Sequence, residues 1–158
     1  MTADTLTNKK RPAHLLVVED NHGDIVLMKR AFAEAHLSTQ ITAATTGEEA
    51  LAILRKAEEN ADHPMPDIIL LDLNLPQMSG HQVLEIVKSD NKLKHIPIVV
   101  FSSSRADSDV MQSYDLHANG YIVKPLGLDH FNDVIRKLEQ FWFMLAVMPD
   151  THTARKAS

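Results

Sequence analysis

Short apolar runs alternate with amphipathic segments along most of the chain, and this alternation restricts the possible folds more than any other feature. The runs lie at residues 15–18, 41–44, 68–71, 98–101 and 121–123. After each run, apolar residues recur every three or four positions, as on one face of a helix. Strands that alternate with helices form parallel sheets, because right-handed crossovers place the helices on both faces. The sequence therefore predicts a doubly wound α/β fold with a five-stranded parallel sheet.

The second helix has the most clearly marked ends. Thr46 and Glu49 have the spacing of a capping box, which predicts that this helix opens at Thr46. We expect the helix to fray after Lys56. Residues 58–66 combine charged side chains with two prolines, a composition typical of a loop.

Composition limits the chain to one folded domain and excludes several classes of protein. Of 158 residues, 44% are hydrophobic, which is enough for one sizeable core. The absence of cysteine excludes disulfides and thiolate metal sites, and the net charge of −5 argues against a nucleic-acid surface. The most apolar stretch, at 141–148, is far shorter than the roughly 20 residues of a membrane-spanning helix. We expect a cytoplasmic protein with a disordered leader at 1–12, a folded domain at 13–148 and a flexible tail at 149–158.

Polar side chains follow four of the predicted strands directly. Glu19 and Asp20 follow the first, Asp72 the third, Ser102 the fourth, and Lys124 the fifth. Each alone has a simpler explanation, since Asp20 suits a helix cap, Asp72 a turn and Ser102 a loop. Together they are harder to explain by turn chemistry, because the carboxyl ends of parallel strands meet at one edge, where such sheets bind ligands. We therefore predict a functional site at this edge.

The residue types at this edge suit phosphoryl transfer. Three carboxylates repel one another unless they take up protons or bind a cation, and oxygen ligands without histidine or cysteine suit Mg²⁺. A metal beside Lys124 would share the charge of an incoming phosphoryl group. Asp72 is the predicted nucleophile, because it is central and follows the most buried strand. A carboxylate nucleophile yields an acyl phosphate.

Four runs of residues resemble the receiver domains of bacterial two-component response regulators. They are LLVVEDN at 15–21, DIILLDLNLPQMSG at 67–80, PIVVFSSS at 97–104 and NGYIVKP at 119–125. The resemblance covers roughly residues 13–139. It implies the flavodoxin-like (βα)5 receiver fold. It also implies that the protein takes up one phosphoryl group on its own side chain and is not an enzyme that turns over a substrate.

The resemblance implies roles for the acceptor and its metal site. Asp72 corresponds to the aspartate that receives a phosphoryl group from a sensor histidine kinase. Asp20 would bind Mg²⁺ directly and Glu19 largely through water. Asn74 would offer its backbone carbonyl to the metal.

The remaining family positions concern catalysis and switching. Lys124 and Ser102 would contact phosphoryl oxygens, and Tyr121 would rotate inward when the Ser102 hydroxyl moves. Pro125 would follow a cis peptide bond that aims Lys124 at the pocket. Ser104 and the Asn74 side chain would flank the attacking water and tune the phosphate lifetime.

Within this family, the chain is similar to the stand-alone response regulators that partner bacterial phytochromes, the red/far-red light-sensing histidine kinases. The similar segments are VEDNHGDIVLMKRAF at 18–32, KSDNKLKHIPIVVFSSS at 88–104, SYDLHANGYIVKPLGLDHF at 113–131 and LEQFW at 138–142. This resemblance implies a phytochrome kinase as the partner and signal output without a separate output domain.

One alternative function belongs to another class. An aspartyl-phosphate phosphatase of the haloacid dehalogenase type would also use a carboxylate nucleophile. Such enzymes place the nucleophile on the first strand and need an acid two residues later. Here Asn74 occupies that later position, and Asp72 follows the third strand.

The end of the last predicted helix has more apolar residues than one domain needs. Residues 141–148 continue almost without a polar break after a stripe that already covers the sheet. We predict a homodimer whose interface includes Phe141, Trp142, Leu145 and Met148. The alternative is that the chain folds back and buries these residues on its own domain.

Overall fold

The computed structural model describes residues 12–34 and 39–145. The predicted leader, apart from Pro12, and the predicted tail lie outside these ranges. In the described ranges, every helix is too short or too polar to cross a membrane.

Five parallel strands form one sheet, as the sequence predicted. The strands are β1 Ala13–Val18, β2 Thr39–Ala44, β3 Ile68–Leu71, β4 Ile98–Ser102 and β5 Gly120–Val123. The helices are α1 His22–Glu34, α2 Gly47–Glu59, α3 Gly80–Ser89, α4 Asp107–Asp115 and α5 Leu128–Glu139, which continues as a π-helical segment, Gln140–Leu145. The strand order is β2-β1-β3-β4-β5. The chain therefore reverses its direction of travel across the sheet between β1 and β3, where doubly wound proteins bind ligands.

Helices cover both faces of the sheet, which explains why residues 15–18, 68–71 and 98–101 of the inner strands are all apolar. Alternate strand residues, such as Leu16 and Leu71, pack with apolar residues of α2 and α3. The residues between them pack with α1 and α5, and on that face the Phe101 and Phe131 rings meet edge to face with their centroids 5.7 Å apart. The helix α4 contributes a single buried residue, Ser113. This helix is therefore attached to the domain with little apolar burial.

The predicted start of α2 at Thr46 is confirmed, whereas one hydrogen bond of the predicted capping box and the end of the helix differ from the prediction. Thr46 is the N-cap and its hydroxyl accepts a hydrogen bond from Glu49 N, but the Glu49 carboxylate accepts from Thr45 N, so the reciprocal half of the capping box is absent at Thr46. The helix also continues past Lys56 to Glu59. Burial of Ala57 against the sheet adds a turn that local composition does not indicate.

Candidate functional site

Three carboxylates, which we call the acid cluster, meet where β1 and β3 end: Glu19, Asp20 and Asp72. Val18 pairs with Leu71 in the sheet, and Asp72 N donates to Val18 O at 3.0 Å, which extends the ladder to Asp72. One carboxylate oxygen from each of the three residues lies within 4.8 Å of the others. Glu19 and Asp72 are buried, whereas Asp20 is exposed. The sheet therefore assembles the predicted carboxylates at one point.

Lys124 extends from the end of β5 into the acid cluster. Its backbone N–H donates to Ser102 O at 2.8 Å, so the β4–β5 ladder sets its position. Its ammonium group donates to Glu19, to Asp24 Oδ2 at 3.0 Å and to Asp72 Oδ2 at 3.3 Å. The predicted convergence of Asp72 and Lys124 is thus present in the structure.

The predicted cis peptide bond before Pro125 is wrong. All peptide bonds in the described ranges are trans. The trans form is the ordinary preference before proline, by about 0.5–1 kcal/mol. Lys124 reaches the acid cluster with that geometry.

Charge in the site is unevenly balanced. Burial raises the pKa of Glu19 to about 7, and Asp72 adds to the shift, although the hydrogen bond from Lys124 opposes it. Burial alone would lower the pKa of Lys124, but its hydrogen bonds to Glu19 and Asp24 outweigh burial and raise that pKa above its ordinary value. One ammonium group thus leaves negative charge uncompensated. The oxygen-only ligand set fits a hard divalent cation, which would compete with protons for Glu19.

Ser102 ends β4 beside this site and is fully buried. Its hydroxyl accepts a hydrogen bond from Ser104 N at 3.2 Å, and Tyr121 OH donates to Ser104 O at 2.9 Å. Ser104 also donates through its own hydroxyl to Asp109 in the first turn of α4. The predicted switch residues are therefore joined through the loop after β4, and this loop is tied to α4.

The backbone after Asp72 turns sharply under the first residue of α3. Asn74 is exposed, and its N–H donates to Asp72 Oδ1 at 3.3 Å. Gly80 N donates to Leu73 O at 2.9 Å, and a Cβ added to Gly80 would lie 2.2 Å from Asp72 O. In the sequence, Gly80 stands out only as the last residue of the motif at 67–80. Its physical role is to let α3 pack directly on the backbone of Asp72 and Leu73.

Asp24 is the site residue that sequence reasoning missed. It lies in the first turn of α1, and its carboxylate contacts Lys124, which is 100 residues away in the chain. The one available signal was its position one helical turn beyond the acidic pair. That signal is weak, because acidic residues are common in the first turn of any helix.

Fold and site together define a class of protein: a doubly wound α/β domain with an acidic, lysine-containing pocket at its topological switch point. The chain belongs to the response regulator receiver domain family, whose model matches residues 15–136. This confirms the resemblance seen in the sequence and the flavodoxin-like receiver fold.

Three similar proteins within this family resemble the chain over most of its length. The response regulator Rcp1 of Synechocystis is 34% identical over 138 residues, covering 87% of this chain and 94% of Rcp1, and its Mn²⁺-bound crystal structure matches with a TM-score of 0.81. The phosphorylated cyanobacterial phytochrome response regulator RcpA is 41% identical, with a TM-score of 0.83 over 89% of this chain and 100% of the RcpA chain. The probable methanogenesis regulatory protein FilR2 of Methanothrix harundinacea is 34% identical over 131 residues, 83% of this chain and 84% of FilR2. The chain is thus similar to stand-alone, phytochrome-associated receivers.

Adding one methyl group at Gly80 tests the close approach of α3 to the backbone of Asp72. We expect Gly80→Ala to lower the free energy of unfolding by about 1–3 kcal/mol, because the new Cβ would overlap backbone atoms that cannot move independently. Gly120→Ala is the matched control, since its Cβ would meet its nearest neighbour, Val99, at 3.8 Å. Urea unfolding measures both variants, and equal midpoints would contradict the close approach.

Proposed function

We propose that Asp72 accepts a phosphoryl group from a phosphohistidine of a sensor kinase, with Mg²⁺ held at the acid cluster. An Asp72 oxygen attacks phosphorus while the bond from phosphorus to the histidine nitrogen breaks, which leaves an acyl phosphate and a neutral histidine after proton uptake. The observation on which this rests is the position of Asp72, which is buried, belongs to the acid cluster and has its Oδ2 3.3 Å from the Lys124 ammonium.

The neighbours of Asp72 supply what this transfer requires. Glu19, Asp20 and Asp72 would hold the cation, with the backbone carbonyl of Asn74 as a further ligand. When bound, Mg²⁺ would offset the charge of the phosphoryl oxygens. Lys124 would donate to another phosphoryl oxygen from its present place, 3.3 Å from Asp72 Oδ2. Together, the bound cation and Lys124 would place positive charge where the phosphoryl group must enter.

The protein is proposed to be modified once per cycle, and not to hydrolyse external phosphomonoesters. A phosphatase of the haloacid dehalogenase type has less support, because Asp72 follows β3 and Asn74 carries no carboxyl group for general acid–base catalysis. We propose that the reaction takes place in the cytoplasm.

A phytochrome-type kinase is the proposed phosphoryl donor. The support is the similarity to RcpA, which is a phytochrome response regulator, and to Rcp1. FilR2 is as similar to this chain as Rcp1 is, at 34% sequence identity, but FilR2 is a probable methanogenesis regulatory protein, so similarity at this level does not by itself select a phytochrome kinase. The proposed donor is tested by comparing phosphotransfer from a purified phytochrome kinase with phosphotransfer from a kinase that senses a different signal. Faster transfer from the phytochrome kinase is expected.

Phosphorylation is proposed to reach the α4–β5 face through Ser102. If the Ser102 hydroxyl turns toward a phosphoryl oxygen, Ser104 N loses its acceptor. Tyr121 is bonded to Ser104 O and would move with that loop. The helix α4 can respond at low cost, because Ser113 is its one buried residue.

A homodimer paired through the end of α5 is the proposed assembly. Phe141 is 52% exposed and its ring lies edge to face with Trp142, at a centroid separation of 5.3 Å. Trp142 is partly buried and packs against the α1 and α5 side of the core. This side chain is therefore partly covered by its own domain, as the alternative to a dimer predicted. Leu145 ends the π-helical segment, and Met148 lies outside the described residues. The support for pairing is therefore the exposed Phe141 face.

The acceptor assignment is tested with a small phosphoryl donor and intact-mass measurement. Wild-type protein with phosphoramidate and Mg²⁺ should gain one phosphoryl group, and Asp72→Asn should gain none, because an amide is not a nucleophile for this transfer. Asp62→Asn, in an exposed loop, should label like wild type. Labelling of Asp72→Asn, or undiminished labelling of wild type in the presence of a chelator, would show that the site is misassigned.

Loss of the Ser102 hydroxyl should separate phosphorylation from its structural consequence. Ser102→Ala should still label at Asp72, but hydrogen exchange in α4 and β5 should no longer respond to beryllofluoride, because the hydroxyl is the proposed connection. Ser103→Ala, at the exposed neighbouring position, is the control and should respond fully. A full response of Ser102→Ala would exclude this coupling.

The dimer is tested by light scattering coupled to size exclusion. The intact chain should have about twice the mass of one chain, and Phe141→Glu should give a folded monomer, because a charge at a paired apolar face has no partner. Val26→Glu is the control, since Val26 is 54% exposed, close to the value for Phe141, but lies on α1. A monomeric wild-type protein at tens of micromolar, with and without beryllofluoride, would refute the interface.

A further inference from the structure

The hydrogen bonds of Lys124 divide its three partners into two kinds. A lysine ammonium has three protons to donate, and here Glu19, Asp24 and Asp72 each accept one. Glu19 and Asp72 belong to the acid cluster, whereas Asp24 does not. Any group that enters the acid cluster competes with Lys124 for the first two carboxylates and leaves the bond to Asp24 in place.

The position of Asp24 is fixed by the start of α1. Asn21 Oδ1 accepts a hydrogen bond from Asp24 N at 3.0 Å, and Asn21 O accepts from Ile25 N at 3.1 Å, so Asn21 caps the helix. Gly23 leaves room for this cap, because a Cβ there would lie 3.1 Å from Asn21 Oδ1. Ile25 is buried, which anchors the first turn of α1 to the domain. The Asp24 carboxylate is therefore held on a rigid element.

Burial differs between Asp24 and the other two partners of Lys124. The Asp24 side chain is 26% exposed, against 1% for Glu19 and 6% for Asp72, so Asp24 lies at the rim of the pocket. The Lys124 side chain is 14% exposed and lies between rim and interior. A carboxylate at the rim draws the ammonium outward, while those inside draw it toward the acceptor. The place of the ammonium depends on both.

We propose that Asp24 is a positioning residue for Lys124. It holds the Lys124 ammonium beside Asp72 Oδ2 when a cation and a phosphoryl group engage the acid cluster. The inference rests on the proposed function of Asp72. Asp24 does not touch the phosphoryl group in this proposal and acts through Lys124. Its loss leaves the acceptor and the cation ligands intact but leaves Lys124 without the one partner outside the acid cluster.

The first test observes Lys124 directly in protein saturated with Mg²⁺, where the cation competes for Glu19 and Asp72, and so does not depend on phosphorylation. Ammonium groups held by hydrogen bonds give ¹H–¹⁵N signals at low temperature, and Lys124→Met assigns the Lys124 signal. We expect Asp24→Ala to lose that signal and Asp24→Glu to retain it. Lys88 is the reference in the same spectra, because its ammonium also has three acceptors: Lys94 O, Ile96 O and Asn119 Oδ1. Its signal should be unchanged.

The second test measures labelling rates with phosphoramidate and Mg²⁺ over a range of donor concentrations. Asp24→Ala and Asp24→Asn should slow the maximal labelling rate about tenfold, because displacing the Lys124 ammonium impairs phosphoryl transfer more than donor binding. Asp24→Glu should recover most of the rate. Asp133→Asn is the control, because it removes a carboxylate from an exposed ion pair with Lys137, away from the site.

The outcomes separate the two proposals. Wild-type protein that does not label at Asp72 would overturn the proposed function, while the spectra still report on Asp24. Wild-type labelling with Asp24→Ala rates within twofold would overturn the role of Asp24. A slow Asp24→Ala variant that keeps its Lys124 signal would also overturn it, because the effect would not pass through Lys124.

Discussion

The Lys124 ammonium, shared among acidic side chains at the carboxyl edge of the sheet, is the interaction on which the site depends. Parallel pairing of β1 with β3 brings Glu19 and Asp72 together, and β5 delivers the single cation. A carboxyl group as buried as Glu19 is costly to ionise without a compensating charge, which is why its pKa is raised to about 7. The protein thus keeps an uncompensated negative site that a divalent cation is suited to fill.

The same edge connects the site, through hydrogen bonds of the loop after β4, to the surface formed by α4 and β5. Ser102 belongs to a buried strand, whereas the loop that follows it bonds to Tyr121 through Ser104 and to α4 through Asp109. The helices α2 and α3 are secured by apolar residues, but α4 is held largely by polar contacts such as that of His81 with Ser113. Polar contacts rearrange at lower cost than packed apolar surface, so a change at Asp72 would displace α4 more easily than α2 or α3.

Local sequence patterns were reliable where one physical cause dominated. Strands buried on both faces are apolar, so β3 was predicted at its full length and β4 to within one residue, whereas the first two residues of β1 were missed. The end of α2 was misjudged because Ala57 is buried by the sheet, whereas residues 58–66 alone favour a loop. The peptide bond before Pro125 was misjudged because the prediction followed the family pattern, not a local signal.

The sequence by itself determined the fold class, the edge at which the site lies and most of its residues, Asp72 and Lys124 among them. These follow from periodicity and from the identity of the residue after each strand, which are local properties of the chain. Only the tertiary structure decided that Asp24 belongs to the site and that Gly80 must lack a side chain. Both depend on how a helix end approaches a distant strand end, as α1 approaches β5 across 100 residues of sequence. No local pattern encodes such a distance, because it is set by the packing of the whole domain.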